Sequence, residues 1–407
     1  MEIKDRFLKY VSFDTQSDGY SNSIPSTDKQ LVLAKYLVDE LNSLGVKDVV
    51  LNEYGIVYGT IESNNGNVGD VIGFIAHMDT SPDASGKNVK PQIINNYQGD
   101  IITLNKDKNL YLDPKQYPQL LELINHDLIT TDGTTLLGAD DKAGISIIMQ
   151  LVEYLHEHPE FKHNDIKLAF TPDEEIGHGA DNFDVKYFNA DYAYTIDGGD
   201  IHIVEYENFN AFSAKIKING RSIHPGTAKG KMINAIRVAY ELDNMLPVGA
   251  RPELTDGYEG FNHLHNIQGS CEEAVMEYII RNHDLTLAKK QCDDFRDIVD
   301  FLNKKYGYEI AELEIKESYL NMKEALKDHM FIVEQALDTI RECGLEAKCS
   351  PIRGGTDGAR LTFMGLPCPN LGTGGFNYHG PYEYCSLTMM NKQVDILLKI
   401  IEKTLKD

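Results

Sequence analysis

The chain has 407 residues, 39 of them basic and 63 acidic, for a formal charge of −24 at neutral pH, and 42% of its residues are hydrophobic. That balance is ordinary for a folded globular protein and excludes disorder as the main state, while the net acidity argues against nucleic acid or an anionic membrane as partner. No apolar run reaches the roughly 18 residues a bilayer span needs, and the charged opening Met1-Glu2-Ile3-Lys4-Asp5-Arg6 lacks the apolar core of a signal peptide.

In chain order, residues 1–14 and 26–44 read as helices, with Thr27 and Asp28 as caps of the second and Gly45 after its end. Val71 to Ala76 reads as a strand buried on both faces. Residues 81–135 are irregular and rich in Asn, Asp and Pro, with short strand candidates. An amphipathic helix is expected over 143–157, just after Asp140 and Asp141. Buried strands follow at Ile166–Thr171 and Tyr192–Ile196. This alternation predicts an α/β fold.

From residue 208 the pattern changes. Strands are expected at 209–218, 261–270, 274–281 and 311–319, and helices at 234–245 and 285–305. The order β-α-β-β-α-β is that of a ferredoxin-like α+β unit. A long helix over 323–343, a glycine-rich stretch over 353–375 and a final helix from Leu387 complete the chain. The expected organisation is one α/β domain, 1–207 with 321–407, interrupted by an inserted domain, 208–320. Six cysteines (271, 292, 343, 349, 368 and 385) include no Cys-x-x-Cys pair and read as reduced thiols of a cytoplasmic protein.

Ligands of open α/β sheets bind beyond the carboxyl ends of the strands. Three buried strands here run into metal-capable residues: His77-Met78-Asp79, Asp173-Glu174-Glu175, and Asp197 before Gly198-Gly199. His77 and Asp79 share a strand face, so one could ligate a cation through its ring while the other holds the second ring nitrogen. Asp140-Asp141, taken alone, reads first as a helix cap; the functional reading gives one of the two carboxylates a pair of cations to bridge. In the acidic triplet, one glutamate could bind metal while another stays free as a base. His379 lies in a glycine-rich loop. Mixed histidine and carboxylate donors suit a pair of zinc ions better than calcium, which prefers oxygen throughout.

Five stretches carry a resemblance: 76–80 (Ala-His-Met-Asp-Thr), 131–144, 170–177 (Phe-Thr-Pro-Asp-Glu-Glu-Ile-Gly), 352–358 (Ile-Arg-Gly-Gly-Thr-Asp-Gly) and 378–380 (Tyr-His-Gly). Together they resemble the dinuclear zinc exopeptidases, a family that includes aminoacylases, succinyl-diaminopimelate desuccinylase and tripeptide aminopeptidases, the last being the most similar. The resemblance implies a mixed-sheet catalytic domain with the inserted unit as lid and dimerisation domain. It implies two zinc ions per subunit, one on His77 and Asp197, the other on Glu175 and His379, with Asp140 bridging. Glu174 would be the general base and Asp79 would orient His77. His224, in Ser222-Ile223-His224-Pro225-Gly226, matches a lid histidine that reaches the partner's active site in dimeric members. Arg353, and less directly Arg281, would bind the substrate carboxylate. The implied activity is release of the N-terminal residue from tripeptides by zinc-activated water. The alternatives are another amide hydrolase of the family, of aminoacylase or desuccinylase type, or a metal-binding protein without turnover, which would need neither Glu174 nor His224.

Overall fold

A computed structural model describes residues 1–405. The chain divides into two compact units. The first comprises Met1–Tyr206, Ala325–Ser350 and Thr356 onward; the second comprises Glu207–Glu324 and Pro351–Gly355.

The first unit is built on an eight-stranded mixed sheet. Its spatial order is Lys47–Leu51, Val57–Ile61, Ile166–Thr171, Ile72–His77, Tyr192–Gly198, Asn370–Gly372, Ile203–Glu205, Lys348–Cys349. Four adjacent central strands, from Ile166–Thr171 to Asn370–Gly372, are mutually parallel, so their carboxyl ends lie at one edge of the sheet. Every residue of Ile72–His77 is buried, as expected of a strand covered on both faces. On one face, Ile75, Ala169 and Ala193 pack with Phe183, Phe188 and Leu361. On the other lies the buried helix Ala139–Glu157, flanked by the helices Ile3–Val11 and Leu387–Lys403. Gly144 permits this approach: a Cβ there would lie 1.9 Å from the Ile196 carbonyl oxygen.

Several expected elements differ in detail. The second helix is Gln30–Ser43, and neither Thr27 nor Asp28 caps it: Lys29 holds the cap position without a side-chain bond, and the Thr27 hydroxyl donates instead to the Gln16 carbonyl. The long helix over 323–343 is broken into Lys323–Leu326, a 3-10 turn Lys327–His329, and Met330–Glu342. The irregular 81–135 stretch holds four short strands, at Gln92–Ile94, Ile102–Asn105, Leu110–Leu112 and Leu128–Thr130.

The second unit is a four-stranded antiparallel sheet in the order Phe261–Gly269, Glu273–Asn282, Asn210–Asn219, Ala311–Tyr319. Helices Ala235–Met245 and Leu285–Tyr306 bury their apolar stripes against one face, where Ile216, Met276, Tyr278, Leu242 and Phe295 share a core. Asn234 and Asp284 cap the two helices through their side chains. This is the β-α-β-β-α-β arrangement. Among the described residues of both units, no helix is long and apolar enough to cross a membrane.

Candidate metal centre

The parallel strands deliver their end residues to one place. His77 closes its strand, Asp197 lies one residue before the end of Tyr192–Gly198, and the 3-10 turn Glu174–Ile176 follows Ile166–Thr171. Asp140 enters at the start of Ala139–Glu157, where Asp140 and Asp141 leave helical geometry and are joined by a cis peptide bond. His379 comes from the loop before the final helix, in the left-handed region at φ 66°.

Two three-residue clusters result, His77/Asp140/Asp197 and Asp140/Glu175/His379, each with donor atoms within 4.8 Å of one another. His77 Nε2 lies 2.9 Å from Asp140 Oδ1 and 3.3 Å from Asp197 Oδ1. His379 Nε2 lies 2.9 Å from Glu175 Oε2 and 3.4 Å from Asp140 Oδ2. Asp140 thus turns one carboxylate oxygen to each histidine. Glu174 belongs to neither cluster, although its Oε2 is 4.0 Å from His77 Nε2.

The donor chemistry fits a pair of cations. Two imidazoles and three carboxylates converge, a set suited to borderline metals such as zinc. The buried Oε1 of Glu175 has no hydrogen-bond partner, which is costly for a carboxylate oxygen unless a cation faces it. Burial, followed by the charge of Asp140, pushes the Glu175 carboxyl up to about 7. Burial likewise holds Asp197 at about 6. Glu174 is raised well above the carboxylate range by burial and then by Asp197. Burial disfavours a charged His77, but Asp197, Asp140 and Asp79 outweigh it and raise its pKa well above the usual value. Hydrogen bonds to Asp140 and Glu175 raise His379 to about 11. The acids crowd one another and the histidines take up protons in compensation; bound cations would remove both stresses.

Buried polar groups hold the ligand segments. His77 Nδ1 lies 3.1 Å from the Asp79 backbone carbonyl and 3.4 Å from the fully buried Asp79 carboxylate. That carboxylate also accepts the backbone N–H groups of Glu174 at 3.0 Å and Glu175 at 3.2 Å. Asp141 accepts from the His77 and Gly144 backbone N–H groups. Lys142 is buried and donates to the Phe13 carbonyl. Both fit a supporting role. Asp173, at φ 59°, accepts from the Ser26 backbone, the Ser26 hydroxyl and the Gln30 amide, and its own N–H donates to Gln30 Oε1. Those bonds hold a non-glycine residue in an uncommon conformation immediately before Glu174. Neither the Ser26–Gln30 lock nor the buried carboxylate of Glu383, which faces the Asp140 segment, has a sequence motif that would announce it.

His178, beside the acidic triplet, pairs with Asp181 at 2.6 Å and joins neither cluster. His224, Arg281 and Arg353 belong to the second unit. His224 is exposed on its turn and accepts from the Gly226 N–H. Arg281 donates to the Phe212 and Ile280 carbonyls and lies over the Tyr319 ring. Arg353 donates to the Gly257 and Glu259 carbonyls and to Thr255, and its guanidinium lies over Phe209 and Phe261. That network explains why 351–355 packs with the second unit, although sequence order places it beyond residue 320.

The model of Peptidase family M20/M25/M40 matches residues 131–403. Peptidase T of Caldanaerobacter subterraneus subsp. tengcongensis is 55% identical over 401 residues, spanning 98% of each chain. Among solved structures, aminopeptidase PepT from Bacillus cereus superposes with a TM-score of 0.78 at 22% identity, over 100% of this chain and 98% of that one. A tripeptidase from Staphylococcus aureus superposes with a TM-score of 0.77 at 24% identity, over 99% and 98%.

Proposed function

The chain belongs to Peptidase family M20/M25/M40, and on that premise we propose that it is a zinc-dependent aminopeptidase releasing the N-terminal residue of tripeptides. The observation that carries this reading is Asp140 shared between two donor clusters, with Glu174 beside them but outside both. The 55% identical relative named peptidase T and the tripeptidase of like fold support the substrate class.

His77 and Asp197 would hold one cation, Glu175 and His379 the other, and Asp140 both. When bound, the cations supply positive charge that acidifies water and polarises the scissile carbonyl. Glu174 accepts the proton of the attacking water on its carboxylate and returns it to the departing amine nitrogen as the carbon–nitrogen bond breaks. Asp79 keeps the His77 ring and the Glu174 backbone in place for that transfer. Arg353, with Arg281 as a second candidate, would pair with the carboxylate of the peptide and so favour short substrates.

The second unit would act as lid and dimerisation domain. Its edge strand Phe261–Gly269 pairs on one side only, which suits association with a second copy, and His224 would then reach the partner's site to stabilise the oxyanion. Six cysteines with no Cys-x-x-Cys pair support a cytoplasmic location.

The test is hydrolysis of tripeptides, dipeptides and N-acyl amino acids, with and without chelator, identifying the residue released. Chelator-sensitive release of the first residue from tripeptides is expected. Preference for N-acyl amino acids would transfer the protein to the aminoacylase type. Solution mass by light scattering checks the dimer.

A further inference from the structure

Glu383 lies four residues after His379, and its side chain is almost wholly buried, with 1% exposure. Its carboxylate faces the segment that carries Asp140. Oε2 accepts the backbone N–H groups of Leu137 at 2.6 Å and Gly138 at 2.9 Å. Oε1 accepts the N–H of Asp140 itself at 3.2 Å. The Glu383 backbone N–H donates to the Gly380 carbonyl, closing the turn that begins beside His379. One buried carboxylate thus joins the segment carrying the shared ligand to the segment carrying His379.

A buried carboxylate is costly unless hydrogen bonds replace its water. Here the replacements are three main-chain donors of one short segment, ahead of and within the first turn of Ala139–Glu157. Gly138 there has a φ of 83°, a conformation that gives this segment no regular ladder of its own. Something outside the segment must therefore fix it.

We propose that Glu383 is a positioning residue for the metal centre: by accepting the Leu137, Gly138 and Asp140 N–H groups, it presets the Asp140 carboxylate against both histidines before any cation arrives. It touches neither substrate nor cation and acts through Asp140. The inference rests on the reading of Asp140 as a shared ligand, but cation binding and amide exchange test it without reference to peptide hydrolysis. If hydrolysis failed while those results held, only the proposed activity would fall.

Glu383→Gln keeps the side-chain volume but leaves one oxygen for three donors and turns an NH2 group toward them. Titration with zinc or cobalt(II) should show cation affinity at least about tenfold weaker, in the range found when a residue supporting a metal ligand is lost. Hydrogen exchange should accelerate at 137–140 and stay unchanged elsewhere, and kcat should fall with KM within about twofold. Unaltered cation affinity would overturn the proposal. So would a loss accompanied by faster exchange throughout the first unit, which marks general destabilisation. The wild-type protein gives a second test that does not depend on the variant folding. Stripped of metal, it should already protect the 137–140 amides; if they become protected only on adding zinc, the cation sets the segment and Glu383 does not.

Discussion

The carboxylate of Asp79 accepts the backbone N–H of Glu174 at 3.0 Å. The residue beside the His77 ring therefore also holds the backbone of the proposed base, which would couple the proposed ligand to the base. Asp79→Asn would keep one acceptor oxygen and set an NH2 group against the remaining donor. We expect kcat to fall by about 10–100-fold with weaker cation binding. Turnover and metal content measured on the same preparation check this; an unchanged kcat would leave Asp79 with a packing role only.

Glu174→Gln should retain the wild-type cation content, because Glu174 lies outside both donor clusters. Turnover of a tripeptide should drop by about 10²–10⁴-fold, the usual contribution of a positioned acid–base group. Elemental analysis beside a kinetic assay separates the two effects, and near wild-type turnover would remove Glu174 from the chemistry.

Cation uptake should release protons. In the metal-free protein His379 holds its proton up to about 11 and His77 is raised well above its usual value, whereas a metal takes the neutral imidazole. Glu175 and Asp197, raised by burial to about 7 and about 6, add to the protons displaced near neutrality. Since the free site holds more protons than the loaded one, affinity should rise with pH and weaken as pH falls. Calorimetry in buffers of different ionisation enthalpy measures the number released, and a count of zero would contradict the arrangement.

Ser26→Ala removes the hydroxyl that donates to buried Asp173. Loss of one partner of a buried charged group costs about 1–3 kcal/mol, so the urea midpoint should fall. Because Asp173 precedes Glu174, kcat should fall as well. A stability loss with wild-type kcat would show that the lock supports the fold alone.

Much of this centre can be read along the chain because it follows strand ends. His77, Glu175 and Asp197 each end or follow an apolar run, and parallel strands carry such ends to one edge. The same logic fails for groups whose partners are main-chain atoms. Glu383 and Asp173 are ordinary acids in a chain with 63 of them, and their value lies in backbone donors distant in sequence. The strands Lys47–Leu51 and Val57–Ile61 were equally hidden: each is five residues long, and the first is largely exposed, so no buried apolar run marks it. Helical periodicity also continues through Lys327–His329, where the backbone tightens into a 3-10 turn.

The histidines of the two clusters differ in their access to solvent: His77 is 2% exposed and His379 42%. Two cations held as proposed would therefore be inequivalent in exchange. A chelator should strip the outer position first and leave a singly loaded species with its ion on the His77 side. Refilling that species with a second element would give a heterometallic enzyme, in which each position can be followed separately by spectroscopy.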